Sequence, residues 1–423
     1  ALRALVTEFI EDRRRGLLRH GNLLLTAYTN RAVDEICGML ENVAKVYPEA
    51  AYIRIGAEQT CAEPYRPRLF SNLAAAAANR RAVRSLIDHT YIYIGTLTTL
   101  TGTPQLFRIK QFDCALFDEA SQILEPQALG LLCAKTEKGE SAIGKFVFIG
   151  DHKQLPAVVL SPEAQTAVRD PQLNDIGLLD TADSLFERLH RLQMRNGDGR
   201  FVGLLNRQGR MHPDIADFVN RKFYGGELRP VPLPHQKETA LPAPGEDPLE
   251  QYAASTRLGF IDIVPDAPPQ NNKANEAEAD MVARLVQALI ALYGRNGRKI
   301  EPAESVGIIV PFRSQIACVR SRLQQAGIRG AEQITVDTVE CYQGSQRDFI
   351  IFSTTISRPY QLDVLSSVQR IGGADIDRKL NVAITRARRA FFMVGNRTLL
   401  EGSAIYKELI AASKCAPTNK PIE

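Results

Sequence analysis

The chain has 423 residues, 44% apolar and 24% charged, the composition of a soluble globular protein and too long for one ordinary core, so two domains are expected. Its net charge of +4 is too small to establish a nucleic-acid partner, and no apolar run reaches the roughly 18 residues that cross a bilayer, so no membrane partner is expected. Seven scattered cysteines (Cys37, Cys61, Cys114, Cys133, Cys318, Cys341 and Cys415) form no C-x-x-C pair, which argues against a disulfide framework or a zinc site. With no signal-peptide shape at the N-terminus, the expected compartment is the cytoplasm, or the nucleus in a eukaryote.

Leu2, Leu5, Val6, Phe9 and Ile10 recur at helical spacing, so the chain opens in an amphipathic helix. Residues 23–25 read as a strand, 30–40 as a helix, and 52–55 and 91–94 as further strands. Between the last two, residues 71–87 read as one alanine-rich helix carrying arginines, part of a small insertion around 56–90. The apolar run 112–117 ends in Asp118-Glu119-Ala120-Ser121, and the run 146–149 ends in Gly150-Asp151-His152-Lys153-Gln154-Leu155-Pro156. The two runs read as adjacent strands, and the alternation of strand and helix predicts an α/β fold with a parallel sheet covered on both faces.

Residues 191–202 are polar and glycine-bearing, an expected linker between a domain over 1–192 and a second over 203–415. A proline-rich insertion around 229–272 reads as an extended loop with a short strand at 258–263. Met281, Val282, Leu285, Val286, Leu289 and Ile290 form a helical stripe, and 306–310, 349–352 and 391–394 are strand-like. No repeat of 20–50 residues is present, which excludes a solenoid.

Two adjacent carboxylates at a strand tip can divide the work of nucleotide hydrolysis: Asp118 holding a magnesium ion through water, Glu119 orienting the attacking water. Acids are also common at helix N-termini, but the neighbouring tip at Gly150 favours the catalytic reading. Gln154 offers a neutral amide that could touch both that water and the terminal phosphate. In the second half, Arg210, Arg386 and Arg388 are the cations that could reach a phosphoryl group from an opposite wall. His212 reads as a hydrogen-bonded structural histidine. The arginine clusters Arg13-Arg14-Arg15, Arg80-Arg81-Arg84 and Arg386-Arg388-Arg389 read, taken alone, as solvated faces. Thr29, Asn30, Thr96, Thr98, Pro311, Phe312, Thr338 and Gln343 lie at or near strand ends. Each singly suits a helix cap or turn; together they suggest a track for the backbone of single-stranded nucleic acid.

In order, these segments resemble the superfamily 1 helicases, in the Upf-like and DNA-two-like branch that includes the nonsense-decay RNA helicase. Ala27-Tyr28-Thr29-Asn30-Arg31-Ala32-Val33-Asp34 resembles motif Ia, Asp118 to Gln122 motif II and Gly150 to Val159 motif III. Gln208 to Pro213, with Phe223-Tyr224 downstream, is similar to motif IV, Val336 to Asp348 to motif V, and Leu380 to Arg388 to motif VI. The resemblance spans essentially the whole chain. It implies two RecA-like domains of the P-loop NTPase fold, each a mainly parallel sheet flanked by helices, with ATP and Mg2+ between them and single-stranded DNA or RNA across their top. It implies 5′-to-3′ translocation. It also implies that Asp118 holds the metal, that Gln154, Arg210, Gly344, Arg386 and Arg388 serve the nucleotide, and it names no protein partner.

Three departures stand out. The family's Gly-x-x-x-x-Gly-Lys-Ser/Thr phosphate loop is absent from the sequence and is expected immediately before Ala1, so this stretch alone is expected to be inactive. Gly209 stands where relatives often carry a tyrosine that can stack on adenine, and Gln346 replaces a usual acid in motif V. The alternatives are a remodelling ATPase that does not unwind duplex, or a non-catalytic binding scaffold if the phosphate loop is missing from the whole protein.

Overall fold

A computed structural model describes residues 2–197, 199–238, 243–264 and 273–416. The chain divides into two compact units, Ala1–His152 with Pro156–Leu204, and Lys153–Leu155 with Leu205–Glu423.

The first unit is built on strands β1 (Leu23–Ala27), β2 (Tyr52–Ile55), β3 (Ile92–Thr96), β4 (Phe112–Asp118) and β5 (Ile143–Phe148), in the order β2-β3-β1-β4-β5. Every pairing is parallel. All five residues of β1 are buried, as expected for a strand covered on both faces. Alternate residues feed opposite layers. Leu23 and Leu25 pack with Val33, Ile36, Cys37 and Leu40 of helix Asn30–Ala44. Leu24 packs with Tyr93, Leu100, Phe117 and Leu131.

Two expectations are corrected here. The alanine-rich stretch is two helices, Phe70–Ala76 and Arg80–His89. Ala77 turns extended (ψ 134°), and the Asn79 side chain accepts a hydrogen bond from Ala82 N (3.0 Å), so the chain restarts with a new cap. The stretch read as a linker begins inside helix Leu185–Asn196. That helix opens with a Ser184/Glu187 capping box, packs Leu185 and Leu189 on the core, and stops at left-handed Gly197.

The second unit holds a short parallel pair, β6 (Arg207–Gln208) with β7 (Arg229–Pro230). Its main strands are β8 (Leu258–Asp262), β9 (Val306–Ile309), β10 (Thr335–Asp337) and β11 (Arg347–Ser353). An antiparallel hairpin, β12 (Val368–Ile371) and β13 (Ala374–Asp377), turns through Gly372 and Gly373, both at positive φ (58° and 86°) as a two-residue hairpin loop requires. With β14 (Ala387–Gly395) and β15 (Lys414–Cys415) the main sheet has the order β10-β9-β11-β14-β8-β15, again wholly parallel. Phe349 and Ile351 of β11 face helix Glu276–Arg295, whose apolar stripe is buried, while Ile350 and Phe352 face the opposite layer.

Of the proline-rich stretch 229–272, residues 239–242 and 265–272 lie outside the described residues. The remainder is more ordered than an extended loop: it contains helix Pro248–Ala254, with a proline in its first turn and an Asp247 side chain accepting from Leu249 N and Glu250 N. Among the described residues no helix is long and apolar enough to cross a membrane.

Candidate active site

The C-terminal edge of the first sheet is where the acids emerge. Ala27 of β1 is in register with Thr96 of β3 on one side and with Asp118 of β4 on the other. Asp118 is partly buried; desolvation and the charge of Glu119 push its carboxyl up to about 6, against a hydrogen bond from the Glu119 backbone. Glu119 itself is left-handed (φ 52°, ψ 39°), one of two non-glycine residues at positive φ among the described residues. Such a conformation costs about 1–3 kcal/mol and persists only where the surroundings enforce it.

Those surroundings are visible. Ala120 N donates to Ile149 O (2.8 Å) and Ile149 N to Phe117 O (2.8 Å), stitching the turn after β4 to the segment after β5. A Cβ at Gly150 would lie 2.9 Å from Ser121 N, so only glycine allows the two tips to meet this closely. Gly150→Ala is therefore expected to destabilise the protein by about 1–3 kcal/mol and shift the Asp118-Glu119 turn; an unchanged melting temperature would contradict this packing. Gln122 Nε2 reaches Glu119 Oε2 at 3.4 Å, and Ser121 Oγ is buried with no hydrogen-bond partner among the described residues.

The donor set suits a hard cation held by few protein ligands. One partly buried carboxylate sits beside a second acid, and carboxylate oxygens are the donors such a cation takes.

The other first-unit candidates lie along the same edge. Thr29 caps helix Asn30–Ala44, its Oγ1 accepting from Ala32 N (3.1 Å), and Asn30 is the first helical residue. Thr96 caps the one-turn helix Leu97–Thr101, accepting from Thr99 N (3.2 Å), and Thr98 lies on that turn.

In the second unit the structure separates two groups that the sequence lists together. Pro311 and Phe312 follow β9, and Thr338 follows β10, at the C-terminal edge. The arginines gather at the opposite edge, where β11 and β14 begin. Arg386 is buried; its Nε donates to Val382 O (3.2 Å), Nη1 to Ser345 O (3.5 Å), and Nη2 to Thr385 Oγ1 (3.1 Å) and to Gln154 Oε1 (2.9 Å). Arg210 Nε donates to Gln346 Oε1 (3.2 Å) and Nη1 to Thr385 O (3.2 Å), so the neutral residue that departs from the motif V pattern is a direct partner of this arginine. Arg388 lies in β14, 3.3 Å from Asp348. Gly344 (φ 81°) and Gln343 sit on the loop descending from β10 to β11, next to Ser345, so Gln343 is not at a strand tip.

Several supporting residues were not among the sequence candidates, two of them, Gln208 and Asn381, inside the motif-like blocks. Gln208 Oε1 accepts from Arg210 N (3.1 Å) and Met211 N (2.8 Å), His235 Nε2 donates to Arg210 O (2.9 Å), and Gln236 Nε2 donates to Met211 O (2.9 Å). Asn381 Nδ2 donates to Lys153 O (2.7 Å) and Tyr224 Oη (3.0 Å); a lone amide in an apolar run was its signal in the sequence. His212 caps helix Pro213–Phe223, accepting from Asp214 N (3.2 Å), and burial with the nearby Arg257 charge lowers its pKa, which keeps the imidazole neutral for that role.

Two family profiles described as AAA domains match the chain, one over residues 181–398, more than half its length, and one over residues 68–162. It is 25% identical to "Probable helicase MAGATAMA 3" of Arabidopsis thaliana over 93% of this chain and 46% of that protein. It is 28% identical to the DNA replication ATP-dependent helicase/nuclease DNA2 of Bos taurus, over 88% of this chain and 33% of that protein. It is also 28% identical to regulator of nonsense transcripts 1 of Dictyostelium discoideum, over 74% of this chain and 20% of that protein. The chain thus spans less than half the length of each of these relatives. With its motifs in order on two parallel-sheet units, the chain belongs to the AAA-domain family, in the Upf-like and DNA-two-like branch of the superfamily 1 helicases.

Proposed function

We propose that the chain is the motor core of an ATP-dependent nucleic-acid helicase or translocase, acting 5′-to-3′ on single-stranded DNA or RNA. The observation that carries this reading is the turn after β4: a partly buried carboxylate, Asp118, followed by a left-handed Glu119 in a turn hydrogen-bonded to the segment after β5. A non-glycine residue held in that conformation at a strand tip is best explained by the need to aim its side chain.

Asp118 would hold magnesium, which would neutralise charge on the phosphate oxygens. Glu119 accepts a proton from, and orients, the attacking water. From the second unit, Arg386 and Arg210 stabilise the charge that develops on the transferred phosphoryl group, and Gln154, hydrogen-bonded to Arg386, senses that group. Gly344, next to the Ser345 whose carbonyl holds Arg386, and Arg388, paired with Asp348, would complete the nucleotide contacts. Thr29, Asn30, Thr96, Thr98, Pro311, Phe312 and Thr338 hold the strand by its backbone, so binding is sequence-tolerant and weakens with salt.

The metal assignment has a test that does not depend on turnover. The folded pKa of Asp118, about 6, lies above the ordinary carboxylate value, so the protonated form contributes stability that is complete below pH ~4 and lost as pH rises through about 6. Asp118→Asn is therefore expected to be more stable than wild type at pH 8 by on the order of 2 kcal/mol, and equal to it at pH 4. Magnesium should raise the melting temperature of wild type at pH 8 but not at pH 5, and not that of the variant. A magnesium effect that survives Asp118→Asn would assign the metal elsewhere. Unwinding of duplexes with a 5′ or a 3′ overhang tests direction; turnover without unwinding of either would favour a remodelling ATPase.

A further inference from the structure

A second strained residue marks the second unit. Thr355, a β-branched residue two positions beyond β11, is left-handed at φ 60° and almost completely buried. Its backbone N–H donates to Glu278 Oε2 (2.8 Å). The same oxygen accepts from Ser353 Oγ (2.7 Å), while Oε1 accepts from Asn275 Nδ2 (3.1 Å). Gln315 closes the circuit: its Nε2 donates to Ser353 Oγ (3.1 Å) and Asn275 O (3.1 Å), and its Oε1 accepts from Asn275 N (2.8 Å). Glu278, Gln315 and Ser353 have no solvent exposure.

A carboxyl in such a place is costly, and apolar packing would stabilise the fold more cheaply. Burial pushes the Glu278 carboxyl up to about 8, against the hydrogen bonds from Thr355, Ser353, Thr354 and Asn275. What the network gains is geometry. It joins the first turn of helix Glu276–Arg295, the first turn of helix Arg313–Gln325 and the exit of β11. β9 and β11 are neighbours in the sheet, so the Pro311-Phe312 turn and the Ser353–Thr355 exit lie side by side at its C-terminal edge. Gln315 is three residues past Phe312, and its backbone N–H donates to Phe312 O (3.0 Å).

We propose that Glu278 is a positioning residue for strand binding: its buried carboxyl fixes the exit of β11 against the Pro311-Phe312 turn, so that the backbone groups of this edge are already arranged for the phosphodiester chain. This rests on the strand-binding reading above. Preorganisation of this kind shows in affinity, not only in stability, because a loosened edge must be ordered by the ligand.

The test uses the 423-residue chain, with anisotropy of labelled oligo(dT) and oligo(U) across a salt series, and thermal melting of every variant. Glu278→Ala is expected to bind about tenfold more weakly at a temperature where it is folded, with a shallower salt dependence that reports lost phosphate contacts. Glu278→Gln keeps an acceptor for Ser353 and Thr355 and should recover most of the affinity. Ser353→Ala removes one link without emptying the core; it should weaken binding several-fold and decides the matter alone if Glu278→Ala does not fold. Folded variants with wild-type affinity and salt slope, whatever their melting temperatures, would overturn the proposal. A wild-type chain that binds neither oligonucleotide overturns the strand-binding reading itself, and the wild-type arm tells the two failures apart.

Discussion

Replacing Glu119 by glutamine in the full-length protein is expected to lower strand-stimulated ATP turnover by about 10²–10⁴-fold, the usual contribution of a positioned general base. ATP binding should remain largely intact, because the side chain keeps its length and its contact with Gln122. The backbone supplies a control. Glu119 is left-handed at φ 52°, so Glu119→Gly removes the steric strain together with the carboxylate. That variant should be at least as stable as wild type and as inactive as Glu119→Gln. Steady-state turnover, nucleotide affinity and melting temperature measured on both variants check this, and near-normal turnover in Glu119→Gln would move the base to another residue.

Arg386→Ala is expected to lower kcat by about 10³-fold or more, the range found for arginines that stabilise a transferring phosphoryl group. Its guanidinium is buried and aimed by Val382 O, Ser345 O, Thr385 Oγ1 and the Gln154 amide. Arg386→Lys should lose nearly as much, because an ammonium cannot reproduce a planar fork that contacts several oxygens at once. The KM for ATP should change far less than kcat in both, since the interaction grows with charge in the transition state. A variant with raised KM and unchanged kcat would instead make Arg386 a ground-state binding residue. Circular dichroism and melting separate either outcome from misfolding.

The strands were legible because parallel strands buried on two faces leave continuous apolar runs; β1, β4 and β11 read directly from Leu23, Phe112 and Phe349 onward. Asp118 and Glu119 were legible for the same reason, as the first charges after such a run. The left-handed turn at Glu119 was not, since no residue type there announces positive φ; the Ala120 N–Ile149 O hydrogen bond that ties the turn down reaches a distant part of the sequence. The break in the alanine-rich insertion was hidden because alanine favours helix, and only Asn79 hinted at a new cap. Glu278 was invisible for a different reason. Asn275 caps the helix that carries Glu278, its Oδ1 accepting from Glu278 N (3.1 Å), a local contact that says nothing of the burial of Glu278. Its burial follows from Ser353 and Thr355, more than seventy residues on, which no local pattern reports.

The most direct test of the whole account is ATP turnover by the full-length protein with magnesium, with no strand and with single-stranded DNA or RNA in parallel. Turnover is expected to be slow alone, clearly stimulated by at least one of the two strands, and no longer stimulated in Glu119→Gln. Turnover that ignores both strands, or that persists undiminished in Glu119→Gln, would contradict it.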